Sequence, residues 1–146
     1  MTKIVVFDID GTLANVDHRR KYIATKPRNW AAWDAAMGAD TVHEDIKELL
    51  DTLRNAGNTI ILCSGRGEDT RGVTERWMAE NGIRYDALYM RAAKDYRQDS
   101  IVKVELLDRI REDHGEPFLW IDDRQQVVDA IRAQGVRVLQ VAPGDF

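Results

Sequence analysis

Asp8 and Asp10 are separated by one apolar residue and followed at once by Gly11 and Thr12. The run before them, residues 3–7 (KIVVF), has the β-branched character of a short buried strand. Side chains alternate across a strand end, so both carboxylates face the same side. Gly11 lets the chain turn sharply and lets backbone come close to a ligand. Three further features repeat this placement. Ser64-Gly65-Arg66 is expected to follow the strand of residues 59–63 (TIILC). A lysine stands near the start of a long predicted helix, with Lys103 the first choice and Lys94 the reserve. Asp122-Asp123 follows residues 118–121 (FLWI).

These residue types suit phosphoryl transfer. A carboxylate can attack phosphorus and hold the phosphoryl group as a mixed anhydride. Carboxylate and phosphate repel each other, and Mg²⁺ offsets that repulsion through the oxygen ligands it prefers. Asp8 and Asp122 offer carboxylates, and the Asp10 carbonyl offers a further oxygen. The Asp10 side chain is then expected to be free to protonate the leaving oxygen and later to deprotonate water. Such a role contributes roughly 10²–10⁴ in rate. Ser64 and nearby backbone N–H groups are placed to bind the transferring oxygens, and Lys103 to neutralise developing charge.

A regular alternation of elements must position this set. Five apolar runs, at residues 3–7, 59–63, 87–90, 118–121 and 136–141, read as strands buried on both faces. Amphipathic helical patterns at residues 44–56, 70–81, 99–113 and 125–134 separate them, with Gly57, Gly82, Gly115 and Gly135 at their ends. Right-handed crossovers then predict a three-layer α/β/α fold, a doubly wound five-stranded parallel sheet of Rossmann-like form. One stretch, residues 15–41, carries no strand-like run. Two short helices are expected there, at about 17–25 and 29–37, forming a small helical cap inserted after strand 1. Ligands of such sheets bind at that edge.

With 146 residues and 44% hydrophobic content, residues 1–146 are expected to form a single domain that buries its own core. One cysteine, Cys63, excludes an internal disulfide and a cysteine zinc cluster, and reads as buried packing. His18, His43 and His114 lack ligand spacing. No apolar run approaches a membrane span, and strand-like sequence begins at once, so a soluble cytoplasmic protein is expected (host cytoplasm for a viral source).

The ordered set of hydrophobic-Asp-x-Asp-Gly-Thr, Ser, Lys and Asp-Asp resembles the haloacid dehalogenase superfamily of phosphotransferases. That resemblance implies Asp8 as nucleophile, Asp10 as acid/base, Ser64 and Lys103 as phosphate ligands, and Asp122 as metal ligand. It adds Asp123 in support, orienting a metal-bound water or Lys103. A narrower resemblance is to the phosphatase half of bacteriophage-type polynucleotide kinase-phosphatases. It rests on Asp8-x-Asp10-Gly11-Thr12-Leu13-Ala14, Ser64-Gly65-Arg66, Arg97-x-Asp99-x-x-x-Lys103, Ile121-Asp122-Asp123-Arg124-x-Gln126-Val127-Val128 and Gln140-Val141-Ala142-x-Gly144-Asp145-Phe146. It implies removal of 3′-phosphates from nucleic-acid ends, with Thr12, Arg19, Gly65, Arg66 and Asp99 among the substrate-binding residues. The insert matches poorly beyond Arg19. No Gly-x-x-x-x-Gly-Lys-Ser/Thr loop occurs, so a 5′-kinase, like a ligase, would be a separate partner polypeptide.

The insert leaves two readings open. His18, Arg19, Arg20, Lys21, Lys26 and Arg28 make it basic, and Trp30, Trp33 and Met37 fall at helical spacing. Such a stripe serves either as core or as a platform on which bases stack. The net charge of −4 favours a rival substrate class, small phosphomonoesters such as nucleotides or sugar phosphates. A third possibility is a non-catalytic binding module on the same scaffold.

Overall fold

The computed structural model describes residues 2–146. Its centre is a parallel sheet of five strands, and the chain reaches them in an order set by the alternating helices. Strand β1 is Ile4–Phe7. The insert follows, bounded by two short strands, β2 (Ala14–Asn15) and β3 (Thr41–Val42). Within it lie a 3₁₀ turn at Asp17–Tyr22, helix α1 (Trp30–Ala35) and a second 3₁₀ turn at Met37–Ala39. Then come α2 (Glu44–Asn55), β4 (Thr59–Gly67), α3 (Arg71–Glu80), β5 (Ala87–Arg91), α4 (Asp99–Asp113), β6 (Leu119–Asp122), α5 (Gln125–Ala133) and β7 (Val138–Gln140). The large sheet has the order β5-β4-β1-β6-β7, with every pairing parallel.

Alternation along β1 divides the core into two layers. Val5 and Phe7 pack with Leu50 of α2 and Trp77 and Met78 of α3, while Val6 packs with residues of α4 and α5. Helices therefore cover both faces, as the continuous apolar strands require. Gly57, Gly82, Gly115 and Gly135 all take positive φ at the helix ends. Among the described residues no helix is long and apolar enough to cross a membrane.

Two sequence expectations need correction. Ser64-Gly65-Arg66 does not follow its strand but lies within β4, which runs on to Gly67 past an irregularity between Ser64 and Gly67. The partner strand β5 is long enough to keep pairing there, with Gly67 opposite Arg91. The insert also contains strand structure: β2 and β3 pair antiparallel, Ala14 with Val42 and Asn15 with Thr41, and so close its base. Its first predicted helix is a 3₁₀ turn, and its second is α1 ending short of a separate turn at Met37. Met37 is buried, whereas Trp30 is exposed.

Candidate active site

The C-terminal ends of β1, β4 and β6 converge with the first turns of α4. The Asp8 N–H donates to the Ile121 carbonyl at 2.9 Å, which fixes Asp8 against β6. The next residues turn back at once, with the N–H groups of Thr12, Leu13 and Ala14 all directed at the Ile9 carbonyl. Gly11 sits in that turn at φ +83°, and Asp123 packs against the face where a Cβ would stand.

Asp8, Asp122 and Asp123 are buried, and their carboxylate oxygens lie within 4.8 Å of one another. Lys103, reaching in from α4, donates to Asp8 Oδ1 at 2.7 Å and to Asp122 Oδ2 at 2.8 Å. Trp120 Nε1 donates to the same Asp122 oxygen at 3.1 Å, and the Asp123 and Arg124 N–H groups donate to Asp122 Oδ1 at 2.9 and 3.2 Å. Thr12 Oγ1 donates to Asp8 Oδ2 at 3.1 Å and lies 3.4 Å from Asp123 Oδ1. Burial raises the Asp8 pKa well above the usual carboxylate range, and Asp122 raises it further, against the opposing pull of Lys103. Asp123 is raised in the same way, by burial and then by Asp122. Burial disfavours the Lys103 charge, but Asp122, Asp8 and Asp99 outweigh it and hold the ammonium above its ordinary value. One ammonium thus faces three buried carboxylates. The surplus negative charge and the all-oxygen donor set fit a hard divalent cation.

Asp10 belongs to a second cluster. Its Oδ1 accepts from Arg66 Nη2 at 2.7 Å, Arg66 Nε at 3.0 Å and Arg19 Nη2 at 2.9 Å. The Asp10 side chain is therefore not free, as the sequence reading had it. Burial works against its charge, yet the Arg66 and Arg19 guanidiniums prevail and hold its carboxyl below the usual range. Both arginines are buried, and Arg19 Nη1 has no hydrogen-bond partner. What carries them is Asp40, which the sequence reading missed. Asp40 accepts from Arg19 Nε at 2.8 Å, Arg19 Nη2 at 2.7 Å and Arg66 Nη2 at 3.2 Å, and its Oδ1 lies 2.6 Å from His18 Nε2. Trp77 Nε1 donates to the Asp40 carbonyl at 2.8 Å and ties the end of the insert to α3.

The remaining residues surround these two clusters. Ser64 Oγ accepts from the Arg66 N–H at 3.1 Å. Asp99 lies so close to Gly65 that a side chain there would overlap its carboxylate. Asp99 itself stands 3.3 Å from Arg91, 3.6 Å from Arg124 and 3.8 Å from Lys103. Arg91 is a second residue the sequence reading missed. It donates to the carbonyls of Gly65 at 2.8 Å, Asp95 at 3.1 Å and Arg97 at 2.6 Å, joining β4 to the loop before α4. Lys94 lies exposed on that loop, at φ 63°, and Lys103 alone of the two reaches the acids. Cys63 is buried, and burial pushes its thiol pKa up, in keeping with a packing role.

A family model described as the polynucleotide kinase PNKP phosphatase domain matches residues 2–146. The chain belongs to that family. It is accordingly a phosphatase domain of the haloacid dehalogenase superfamily. A chain in a structure of a Pnkp1/Rnl/Hen1 complex is 36% identical, with a TM-score of 0.83, and is matched over 100% of this chain and 48% of its own length. A chain of the Pnkp1/Rnl/Hen1 RNA repair complex is 33% identical, with a TM-score of 0.84, over 100% and 44%. The present chain thus spans about half the length of those it matches. The haloacid dehalogenase family enzyme bt-2542 from Bacteroides thetaiotaomicron, solved with magnesium and inorganic phosphate, shares the fold at 16% identity and a TM-score of 0.61, over 100% and 97%.

In this PNKP-type phosphatase domain, Gly11→Ala is expected to act on stability and on the acids together. The positive φ alone costs about 1–3 kcal/mol. The new methyl group must also displace Asp123, which adds loss of metal affinity. Thermal melts with and without divalent cation check this. A Gly11→Ala protein with unchanged melting temperature and unchanged metal response would contradict it.

Proposed function

We propose that this chain is a magnesium-dependent 3′-phosphatase of nucleic-acid ends, acting through a phosphoryl group on Asp8. The observation that carries the reading is the pairing of two charge clusters at one sheet edge. Asp8 and Asp122, both bonded to Lys103 and with Asp123 beside them, adjoin Asp10, gripped by two buried arginines. The acting unit is the single domain of residues 1–146 with its insert.

Asp8 attacks phosphorus, and the bond to the ester oxygen breaks as the Asp8–phosphorus bond forms. Asp10, protonated from solvent once phosphate has drawn Arg19 and Arg66 off its carboxylate, gives that proton to the leaving oxygen. Water, deprotonated by Asp10, then hydrolyses the acyl phosphate and frees Asp8. Arg19 and Arg66 offer guanidiniums to the phosphate oxygens, and every hydrogen bond they shift to phosphate loosens their hold on Asp10. The hydroxyls of Ser64 and Thr12, the Gly65 backbone and the Lys103 ammonium surround the transferring oxygens. Asp99 keeps Lys103 and Gly65 in place. Asp8 and Asp122, with the Asp10 carbonyl and Asp123 beside them, are the groups that would hold Mg²⁺. When bound there, the ion supplies charge neutralisation between the Asp8 carboxylate and the phosphoryl group.

The family description and the similarity to chains of RNA repair complexes support a nucleic-acid end as substrate. A kinase or ligase acting on the same ends would be a partner in keeping with those repair complexes. The test compares a 3′-phosphorylated oligonucleotide, its 5′-phosphorylated counterpart, a mononucleotide and a sugar phosphate, each with Mg²⁺ and with excess chelator. The proposal expects the 3′-end to have the highest kcat/KM and chelation to abolish turnover. Preference for the mononucleotide or sugar phosphate would transfer the assignment to small phosphomonoesters. Undiminished turnover in chelator would refute the metal.

A further inference from the structure

Aromatic and cationic groups continue outward from the second charge cluster along the insert. The Arg19 guanidinium lies over the Trp33 ring at 4.1 Å from its centroid. Trp33 meets Trp30 edge to face, at 6.4 Å between centroids and 88° between planes. Trp30 is 51% exposed and carries the Arg28 guanidinium over its ring at 5.7 Å. Lys26, Pro27, Arg28 and Trp30 line one open hollow of about 420 Å³.

The fold does not need this hollow. Residues 24–31 are all exposed, and the packing of the insert is carried by Trp33 and Met37 instead. A half-exposed aromatic ring beside the Arg28 guanidinium, with Lys26 in the same hollow and two ring contacts from Arg19, matches one class of ligand well. A nucleic-acid strand presents flat bases with a negative charge at each linkage, and a strand needs both an aromatic face and nearby cations. The local charge matters here because the chain as a whole is acidic, with a net charge of −4.

Building on the 3′-end reading, we infer that the hollow binds the strand next to the terminal phosphate. Trp30 stacks a base, and Lys26 and Arg28 take the adjoining phosphodiesters. Arg19 and Trp33 connect this platform to the catalytic cluster, so the strand arrives with its end already directed at Asp8.

The test uses the full chain and a short single-stranded 3′-phosphorylated oligonucleotide, with an aryl phosphate for comparison. Trp30→Ala should raise KM for the oligonucleotide roughly 5- to 150-fold, the range of one lost base stack, with little change in kcat. Trp30→Phe should restore most of the loss. An oligonucleotide lacking its last bases but keeping its phosphodiesters should be insensitive to Trp30→Ala. Lys26→Ala with Arg28→Ala should flatten the salt dependence of KM for both oligonucleotides. Melting temperatures of the variants separate binding from folding. An unchanged oligonucleotide KM in Trp30→Ala, or an equal loss on the aryl phosphate, overturns the inference while leaving the 3′-end reading intact. Failure of the wild-type chain to take the oligonucleotide, with turnover of the aryl phosphate retained, overturns both.

Discussion

Asp8→Asn leaves a folded protein whose kcat is lower by a factor on the order of 10⁴–10⁶, the scale of removing a covalent nucleophile. The amide has nearly the volume of the carboxylate but no lone-pair charge with which to attack phosphorus. Folding survives because the buried neighbours keep their partners. Lys103 retains Asp122 at 2.8 Å, and Asp122 retains the Trp120 indole and two backbone N–H groups. The substitution even removes a charge that burial, and then the neighbouring Asp122, already disfavour at Asp8. Steady-state turnover with Mg²⁺, a melting curve and labelling with radioactive phosphate form the measurement. Label recovered on any residue other than Asp8, or an Asp8→Asn enzyme within tenfold of wild type, would reject the assignment. Asp10→Asn should cost less, roughly 10²–10⁴, since it removes a proton carrier while Asp8 can still attack.

Lys103→Met carries the second large effect, and this one falls on stability as well as on rate. The ammonium is almost fully buried and joins Asp8 to Asp122. Its removal leaves three buried acids with no counter-charge inside the cluster, and breaking such a pair costs about 3–5 kcal/mol. A divalent cation supplies positive charge to the same oxygens, so it should recover a larger part of the melting temperature in Lys103→Met than it adds to the wild type. Ligand at about a hundred times its Kd stabilises by roughly 2.7 kcal/mol. Turnover should not return with the fold, because the charge next to the transferring oxygens is still missing. Equal melting temperatures for Lys103→Met and wild type in chelator would mean that the lysine does not balance these acids.

The five strands, the four long helices and the first acid cluster were legible in the sequence because each has a local signature. Continuous apolar runs mark strands buried on both faces, and strand ends followed by Asp or Gly mark the active edge. The second cluster was not legible in the same way. Arg19, Arg66 and Asp40 are charged residues that sequence patterns place on a surface, and only contact among them makes their burial tolerable. Asp40 comes far along the chain from Asp10 and belongs to no periodic pattern. Its one signal was its place at the end of the insert, directly before the short strand Thr41–Val42. Arg91 escaped for a related reason: its partners are mostly backbone carbonyls, which no side-chain pattern announces. The tryptophans show where periodicity stops being informative. Trp30 and Trp33 share a face by spacing, but α1 has only six residues, and its first turn projects beyond the core that Trp33 reaches.

The antiparallel pair of β2 and β3 means that the insert leaves the domain and returns to it at one point. Its two site-facing residues, Arg19 and Asp40, sit near those two ends, whereas residues 24–31 are all exposed and reach the core only through the contact of Trp30 with Trp33. Lengthening a loop closed in this way costs only about 0.6 kcal/mol for each doubling. The tip is therefore a replaceable part. A lineage could exchange it for a longer, shorter or differently charged segment, and so acquire a new substrate, without disturbing a single acid of the catalytic edge. An engineer could graft there for the same reason, provided the arginine and the aspartate at the two stems are kept.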